Sequence, residues 1–135
     1  MRKVVVDTNI LVSALWSQQG NPFRVVEMLF TNEIVMYYTN DMVEEYKQVL
    51  NREKFGFPKD RVEVLLQELA KNGVLAESIV SSEVFPDETD RKFYDTAKTN
   101  DAILITGNVK HYPDAPFVLT PHEYLQAFNK LTRPF

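Results

Sequence analysis

Three consecutive β-branched residues, Val4-Val5-Val6, run directly into Asp7-Thr8-Asn9. No polar residue alternates with the valines, so the stretch reads as a short strand buried on both faces, as in a parallel sheet. Asp7 falls where this strand leaves the sheet. Thr8 and Asn9 offer side-chain oxygens for a helix cap, and Ile10, Leu11, Ala14 and Leu15 supply the face that helix would bury. In open α/β sheets ligands bind in the crevice outside the carboxyl ends of the strands. Asp7 is therefore either a helix cap or a carboxylate placed for chemistry, and this stretch alone leaves both open.

Strands and helices alternate along the rest of the chain. Gly20-Asn21-Pro22 marks a turn, with Pro22 suited to a helix start, and the residues up to Phe30 are mostly apolar. Ile34 to Tyr38 reads as a second strand. Thr39-Asn40-Asp41 caps a third helix running to about Glu53, which Phe55-Gly56-Phe57-Pro58 breaks. Lys59-Asp60 opens a fourth helix, where Val62, Leu65, Leu66 and Leu69 keep helical spacing, and Lys71-Asn72-Gly73 ends it as a C-cap. Val74-Leu75 and Ile79-Val80 are short edge-strand candidates. An acid-rich loop, Glu83 to Asp90, leads into a fifth helix ending near Thr99-Asn100-Asp101. Ala102 to Thr106 is another buried strand, Phe117-Val118-Leu119 a last short one, and Thr120-Pro121 starts a closing helix. The order predicts one α/β domain over residues 1–135, a mainly parallel sheet with helices on both faces.

The 135 residues carry 15 Lys and Arg against 19 Asp and Glu, a formal net charge of −4. That sign argues against a module that holds nucleic acid by bulk electrostatics. It does not exclude an enzyme acting on nucleic acid, because bound divalent cations reverse the local field. With no cysteine there is neither a disulfide framework nor a thiolate metal site. No apolar run approaches the ~20 residues of a membrane span. Met1-Arg2-Lys3 leads straight into the first strand, so the expected compartment is the cytoplasm.

Helical geometry narrows the acids that can join Asp7. At about 100° per residue, Met42, Val43, Tyr46, Val49 and Leu50 share one arc of the third helix. Glu45 borders that arc, and Glu44 points nearly away from it. In the fifth helix Asp90 shares the apolar face of Phe93, Tyr94 and Ala97, whereas Asp95 falls off it and reads as surface. A buried charge is costly unless paired or metal-bound. Capping would also account for Asp90, although Thr89 can serve that end instead. Asp87 is undecided, and Asn108 follows a strand at the Asp7 end of the sheet. Two carboxylates about 4 Å apart repel by roughly 4 kcal/mol at an effective dielectric near 20. Such a cluster implies a raised pKa or a bound cation. Oxygen donors, with histidine only at positions 111 and 122, favour Mg2+ or Mn2+ over Zn2+.

These residues resemble the PIN-domain family, most closely the VapC-like ribonucleases that act as toxins in prokaryotic toxin–antitoxin pairs. The matching blocks are residues 4–14, Glu-Tyr-Lys-Gln-Val-Leu at 45–50, Asp87 to Ala97, and Ile-Leu-Ile-Thr-Gly-Asn at 103–108. The resemblance implies a three-layer α/β/α sandwich around a mainly parallel sheet. It places Asp7, Glu45 and Asp90 at the positions of the catalytic, metal-binding acids, with Asn9 and Thr106 supporting them. Asn108 stands where many members carry a fourth acid, which makes it a further candidate ligand without charge. The implied activity is Mg2+- or Mn2+-dependent hydrolysis of RNA phosphodiesters by metal-activated water, with no covalent intermediate. The implied partners are an RNA substrate, a small antitoxin protein and further copies of the chain in a homodimer or higher oligomer.

Other residues are weaker candidates. Arg52 and Lys54, in a basic stretch with Lys47, Lys59 and Arg61, and Lys110 and His111 after Asn108, are possible phosphate contacts. The plain alternative is that charges flanking helix ends are solvated. His122 reads as surface, and Trp16 as core or an oligomer contact, not as a base-stacking platform. A haloacid-dehalogenase-like phosphatase would need a second Asp where Asn9 stands. A receiver domain would want its acid pair near the start and its phosphoacceptor on a later strand. The alternative of another class is a catalytically weak PIN-like scaffold that binds RNA or protein.

Overall fold

The computed structural model describes residues 1–132. The valine run forms β1 (Lys3–Val6), and all three valines are fully buried. Next come α1 (Thr8–Trp16), α2 (Asn21–Phe30), β2 (Val35–Tyr38), α3 (Asn40–Leu50), α4 (Lys59–Asn72) and β3 (Val74–Leu75). The chain continues through α5 (Arg91–Asn100), β4 (Ile103–Ile105), β5 (Val118–Leu119) and α6 (Pro121–Thr132). Short 3-10 turns occupy Glu53–Phe55, Glu88–Asp90 and Val109–His111.

The five strands form one sheet in the order β3-β2-β1-β4-β5, and every pairing is parallel. Val4 stands opposite Met36 on one side and Ile103 on the other, and Val6 opposite Ile105. With helices on both faces, this is the α/β/α sandwich that the alternation predicts. β1 is central because an apolar run with no polar side survives only where both faces and both edges are covered. From β1 the chain builds outward through β2 and β3, then returns to lay β4 and β5 on the opposite flank. Strand order therefore reverses between β1 and β4, and the crevice at such a reversal is where α/β sheets bind ligands. The residues that leave the carboxyl ends of those two strands are Asp7 and Thr106.

Local sequence accounts for most boundaries. Thr39 caps α3 by accepting the Met42 N–H at 3.3 Å, and Met42, Tyr46 and Leu50 repeat every four residues on its buried face. A capping box opens α6: the Thr120 hydroxyl accepts the Glu123 N–H, and Glu123 accepts the Thr120 N–H.

Several expectations are corrected. α3 stops at Leu50 rather than near Glu53, because the Asn51 side chain turns back to the Lys47 carbonyl at 2.9 Å. Ile79 and Val80 form no strand and are exposed; Val74–Leu75 alone pairs with β2. Gly73 ends α4 with extended backbone, φ −95°, not in the left-handed conformation of a helix C-cap glycine. It is required for another reason: a Cβ there would lie 2.7 Å from the Met36 carbonyl oxygen. Asp95 is not a surface residue but 2% exposed. The segment ahead of α5 folds over it, with Ser81 N–H donating to Oδ2 at 3.1 Å and Arg91 3.6 Å away. Trp16 is not core, being 65% exposed.

Candidate active site

Asp7 occupies the N-cap position of α1, yet its side chain makes no capping hydrogen bond. It turns instead into the crevice, 7% exposed, where Oδ2 accepts the Thr106 hydroxyl at 2.8 Å and the Tyr112 hydroxyl at 2.7 Å. Burial pushes the Asp7 carboxyl above the usual range, the two hydroxyls oppose that shift, and the charge of Glu45 adds to it. Oδ2 is thus committed to the crevice, while the Asn9 backbone N–H at the start of α1 also acts on the carboxyl, weakly opposing its shift.

Thr8 and Asn9, read as cap donors, are used otherwise. The Thr8 hydroxyl donates to Oε2 of Glu45, and Asn9 Oδ1 accepts the Gly107 N–H at 3.1 Å, tying α1 to the turn after β4. Thr106 also accepts the Asn108 N–H at 3.0 Å while donating to Asp7, so the backbone at 108 orients the hydroxyl that orients the acid. Asn108 itself is exposed.

Glu45 reaches the crevice because its neighbour fastens the helix there. Tyr46 is fully buried, and its hydroxyl donates to the Val6 carbonyl at 2.5 Å, one residue before Asp7. The helix arithmetic holds: Glu45 is half-buried and Glu44 exposed. The second oxygen of Glu45, Oε1, pairs with Lys92 Nζ at 2.8 Å. Lys92 in turn donates to the Thr89 carbonyl and lies 5.3 Å above the Phe93 ring.

Asp90 starts α5 without capping it, since Asp87 caps the preceding turn by accepting both the N–H and the hydroxyl of Thr89. Burial first, then the charges of Asp7 and Asp87, raise the Asp90 carboxyl to about 6. His111 Nδ1 lies 3.9 Å from Asp90 Oδ2.

The fold thus brings Asp7, Glu45, Asp90, Asn9, Thr106 and His111 to one end of the sheet. Lys110 is exposed beside His111 in the turn after Asn108. Arg52 and Lys54 lie elsewhere, in the turn beyond the far end of α3. Sequence reasoning missed Tyr112, Lys92 and Tyr46 as parts of the site. Tyr46 was visible only as an apolar position, Lys92 as one of many surface cations, and Tyr112 sits in a loop where no periodicity marks it.

The donors suit a hard divalent cation: they are carboxylate oxygens, and two of the three are raised by burial first and by neighbouring acids second. Among the described residues no three His, Asp or Glu side chains are yet arranged as a ligand group. Both oxygens of Glu45 are engaged, by Thr8 and by Lys92. The chemistry of these donors, all carboxylate oxygens, is what fits a divalent ion.

Comparison with known proteins agrees with this fold. A family model described as a PIN domain matches residues 3–110. Uncharacterized protein MJ1680 of Methanocaldococcus jannaschii is 30% identical over 109 residues, covering 78% of this chain and 70% of that one. PIN domains are in general nucleases that use divalent metals and act on nucleic acids. With the sheet reversing at Asp7 and the match spanning every strand but β5, the chain belongs to the PIN-domain family.

Proposed function

We propose that the protein is a ribonuclease that hydrolyses RNA phosphodiesters with Mg2+ or Mn2+ and serves as the toxin of a toxin–antitoxin pair. The observation that carries the reading is Asp7, a buried carboxylate held by two hydroxyls at the strand-order reversal, with Glu45 and Asp90 close enough to perturb it or be perturbed by it. Asp7, Glu45 and Asp90 would hold the ion, and Asn108 would offer a neutral oxygen. When bound, a divalent ion supplies Lewis-acid stabilisation of phosphoryl charge and lowers the pKa of water. The protein's own part is positioning. Thr106 and Tyr112 fix Asp7, Thr8 and Tyr46 fix Glu45, and Lys92, freed from Glu45, is placed to meet a phosphate oxygen.

The engagement of both Glu45 oxygens favours a second reading, a catalytically weak scaffold that binds RNA or protein. Rigorously purified protein and its Asp7→Asn variant, incubated with mixed RNA oligomers and Mn2+, separate the two. Cleavage by the parent alone supports the nuclease; no cleavage by either supports the scaffold. For the toxin role, growth arrest on expression should be relieved by a small protein encoded beside this gene.

A further inference from the structure

The chain's single tryptophan, Trp16, ends α1 with most of its ring in solvent. It is nonetheless held in place. Phe57 meets it edge-on at 5.4 Å and Phe55 at 6.1 Å, and the two phenylalanines stack 12° from parallel. Gly56 between them adopts φ 64°, a left-handed turn that glycine takes without strain and that lets two nearly adjacent rings stack. The result is one exposed ring fixed against two half-buried ones.

The same segment gathers positive charge. Residues 47–61 carry five cations, Lys47, Arg52, Lys54, Lys59 and Arg61, against the acids Glu53 and Asp60, in a chain whose net charge is −4. None of the five forms an ion pair among the described residues, whereas Arg24, Arg91, Lys92 and Lys98 all do. Lys54 Nζ lies 5.1 Å over the Phe55 ring. Lys47 and Lys59 line a groove of about 610 Å³ between α3 and α4, beside Val43, Val62 and Leu66.

An exposed ring backed by two half-buried ones, with unpaired cations around them, is what single-stranded nucleic acid requires: a base stacks on the open ring while the cations follow the phosphates. An apolar protein partner would use the rings and leave the segment's excess of positive charge, five cations against two acids, uncompensated. We infer that Trp16, Phe55 and Phe57, with the cations of residues 47–61, form a second contact for single-stranded RNA, distinct from the acid site. Trp16 lies eight residues along α1 from Thr8, about 12 Å by helical rise, so one strand a few nucleotides long reaches both. The inference rests on the ribonuclease reading for its substrate class.

Because Trp16 is the sole tryptophan, its fluorescence reports stacking directly. The full chain in chelator is titrated with a fluorescein-labelled oligouridylate of about twelve nucleotides, within the site sizes of single-strand binders. Binding is followed by anisotropy and, with unlabelled oligomer, by tryptophan emission. Saturable quenching is expected, with Trp16→Ala weakening binding about five- to a hundredfold and Trp16→Phe retaining most of it. Affinity should fall with salt, by a slope that Lys54→Gln and Lys59→Gln each reduce by about 0.7 where the cation meets a phosphate. Binding without quenching, at equal affinity in Trp16→Ala, overturns the platform while leaving the nuclease reading intact. Emission changes that track protein concentration without RNA assign the face to a second copy and also overturn it. Neither binding nor metal-dependent cleavage would remove the ribonuclease reading itself.

Discussion

The Tyr112 hydroxyl donates to the same oxygen of Asp7 that the Thr106 hydroxyl reaches, at 2.7 and 2.8 Å, from positions 105 and 99 residues away in sequence. Both donors converge on Oδ2, so neither engages the other carboxylate oxygen. Burial and the charges of Asp7, Asp90 and Glu45 raise the Tyr112 hydroxyl well above its ordinary range, which keeps it a proton donor. Asp7 is thereby oriented by groups that do not themselves ionise.

Tyr112→Phe deletes this donor and keeps the ring, which packs edge-on against Phe85 at 6.4 Å. A hydrogen bond to a charged group is worth about 1.5–3 kcal/mol. Asp7 can take up a proton when the donor is lost, so a net cost nearer 1 kcal/mol is expected at pH 7, read as a lower urea midpoint. The Asp7 carboxyl should rise further, moving the acid limb of the cleavage profile to higher pH. An unchanged midpoint and an unchanged profile together would show that the bond does not form in solution.

Glu45→Gln and Glu44→Gln change the same charge on adjacent residues, so bulk electrostatics cancels between them. Glu44 is exposed, whereas Glu45 faces Thr8 and Lys92. Loss of a ligand should cost more than the 10–100-fold typical of outer-sphere partners. Cleavage by Glu45→Gln should therefore fall by more than about a hundredfold, with Glu44→Gln close to the parent. A damaging Glu44→Gln would assign the role to the wrong face of α3.

The same contrast shows what the sequence made legible. Val4 to Val6 and the helical spacing around Glu45 are local patterns, and each gave the element and the facing residue correctly. Asp95 failed under the same arithmetic because a helical wheel sees only its own helix. The Ser81 N–H that covers Asp95 comes from the segment before α5, and Arg91, on the same helix, is tied to that segment through the Ser81 and Glu83 carbonyls. For Trp16 the core alternative fails in the opposite sense: a large apolar side chain predicts burial, but α1 ends there and the ring is 65% exposed, with Phe55 and Phe57 beside it. Tyr112 and Lys92 were invisible because their partners are distant in sequence and nothing periodic marks a loop hydroxyl or a single lysine.

Asp90 makes the metal-free protein pH-sensitive. Its carboxyl sits at about 6, above the range it has in an unfolded chain, so the folded state binds the proton more tightly. Stability from this group is therefore full at low pH, below the ordinary carboxylate value, and is lost as pH rises through about 6. In chelator, the difference in melting temperature between the parent and Asp90→Asn should shift in favour of the variant across that window. Saturating Mn2+ should reverse the order at neutral pH, because a cation relieves the repulsion that raises the carboxyl. Parallel melting curves at every pH would mean that neither burial nor the neighbouring acids raise the Asp90 carboxyl in the folded protein.

Lys92 is the cation that the fold already gives the acid cluster. Its Nζ pairs with Glu45 Oε1 at 2.8 Å, both side chains being about one-fifth exposed. A divalent ion that uses Glu45 must take that oxygen from Lys92, so the two compete. A pair this exposed contributes on the order of 1 kcal/mol at most, which bounds the competition at about fivefold. Lys92→Met removes the charge and keeps much of the apolar stem. Calorimetric titration should show Mn2+ binding the variant up to about fivefold more tightly, and the melting temperature should rise more on Mn2+ addition. Cleavage should nevertheless fall, because the freed ammonium no longer meets the phosphate. Tighter metal and slower cleavage in one variant is the combination a mere structural ion pair would not produce. Weaker Mn2+ binding by Lys92→Met would show that Lys92 holds Glu45 in place for the ion instead of competing with it.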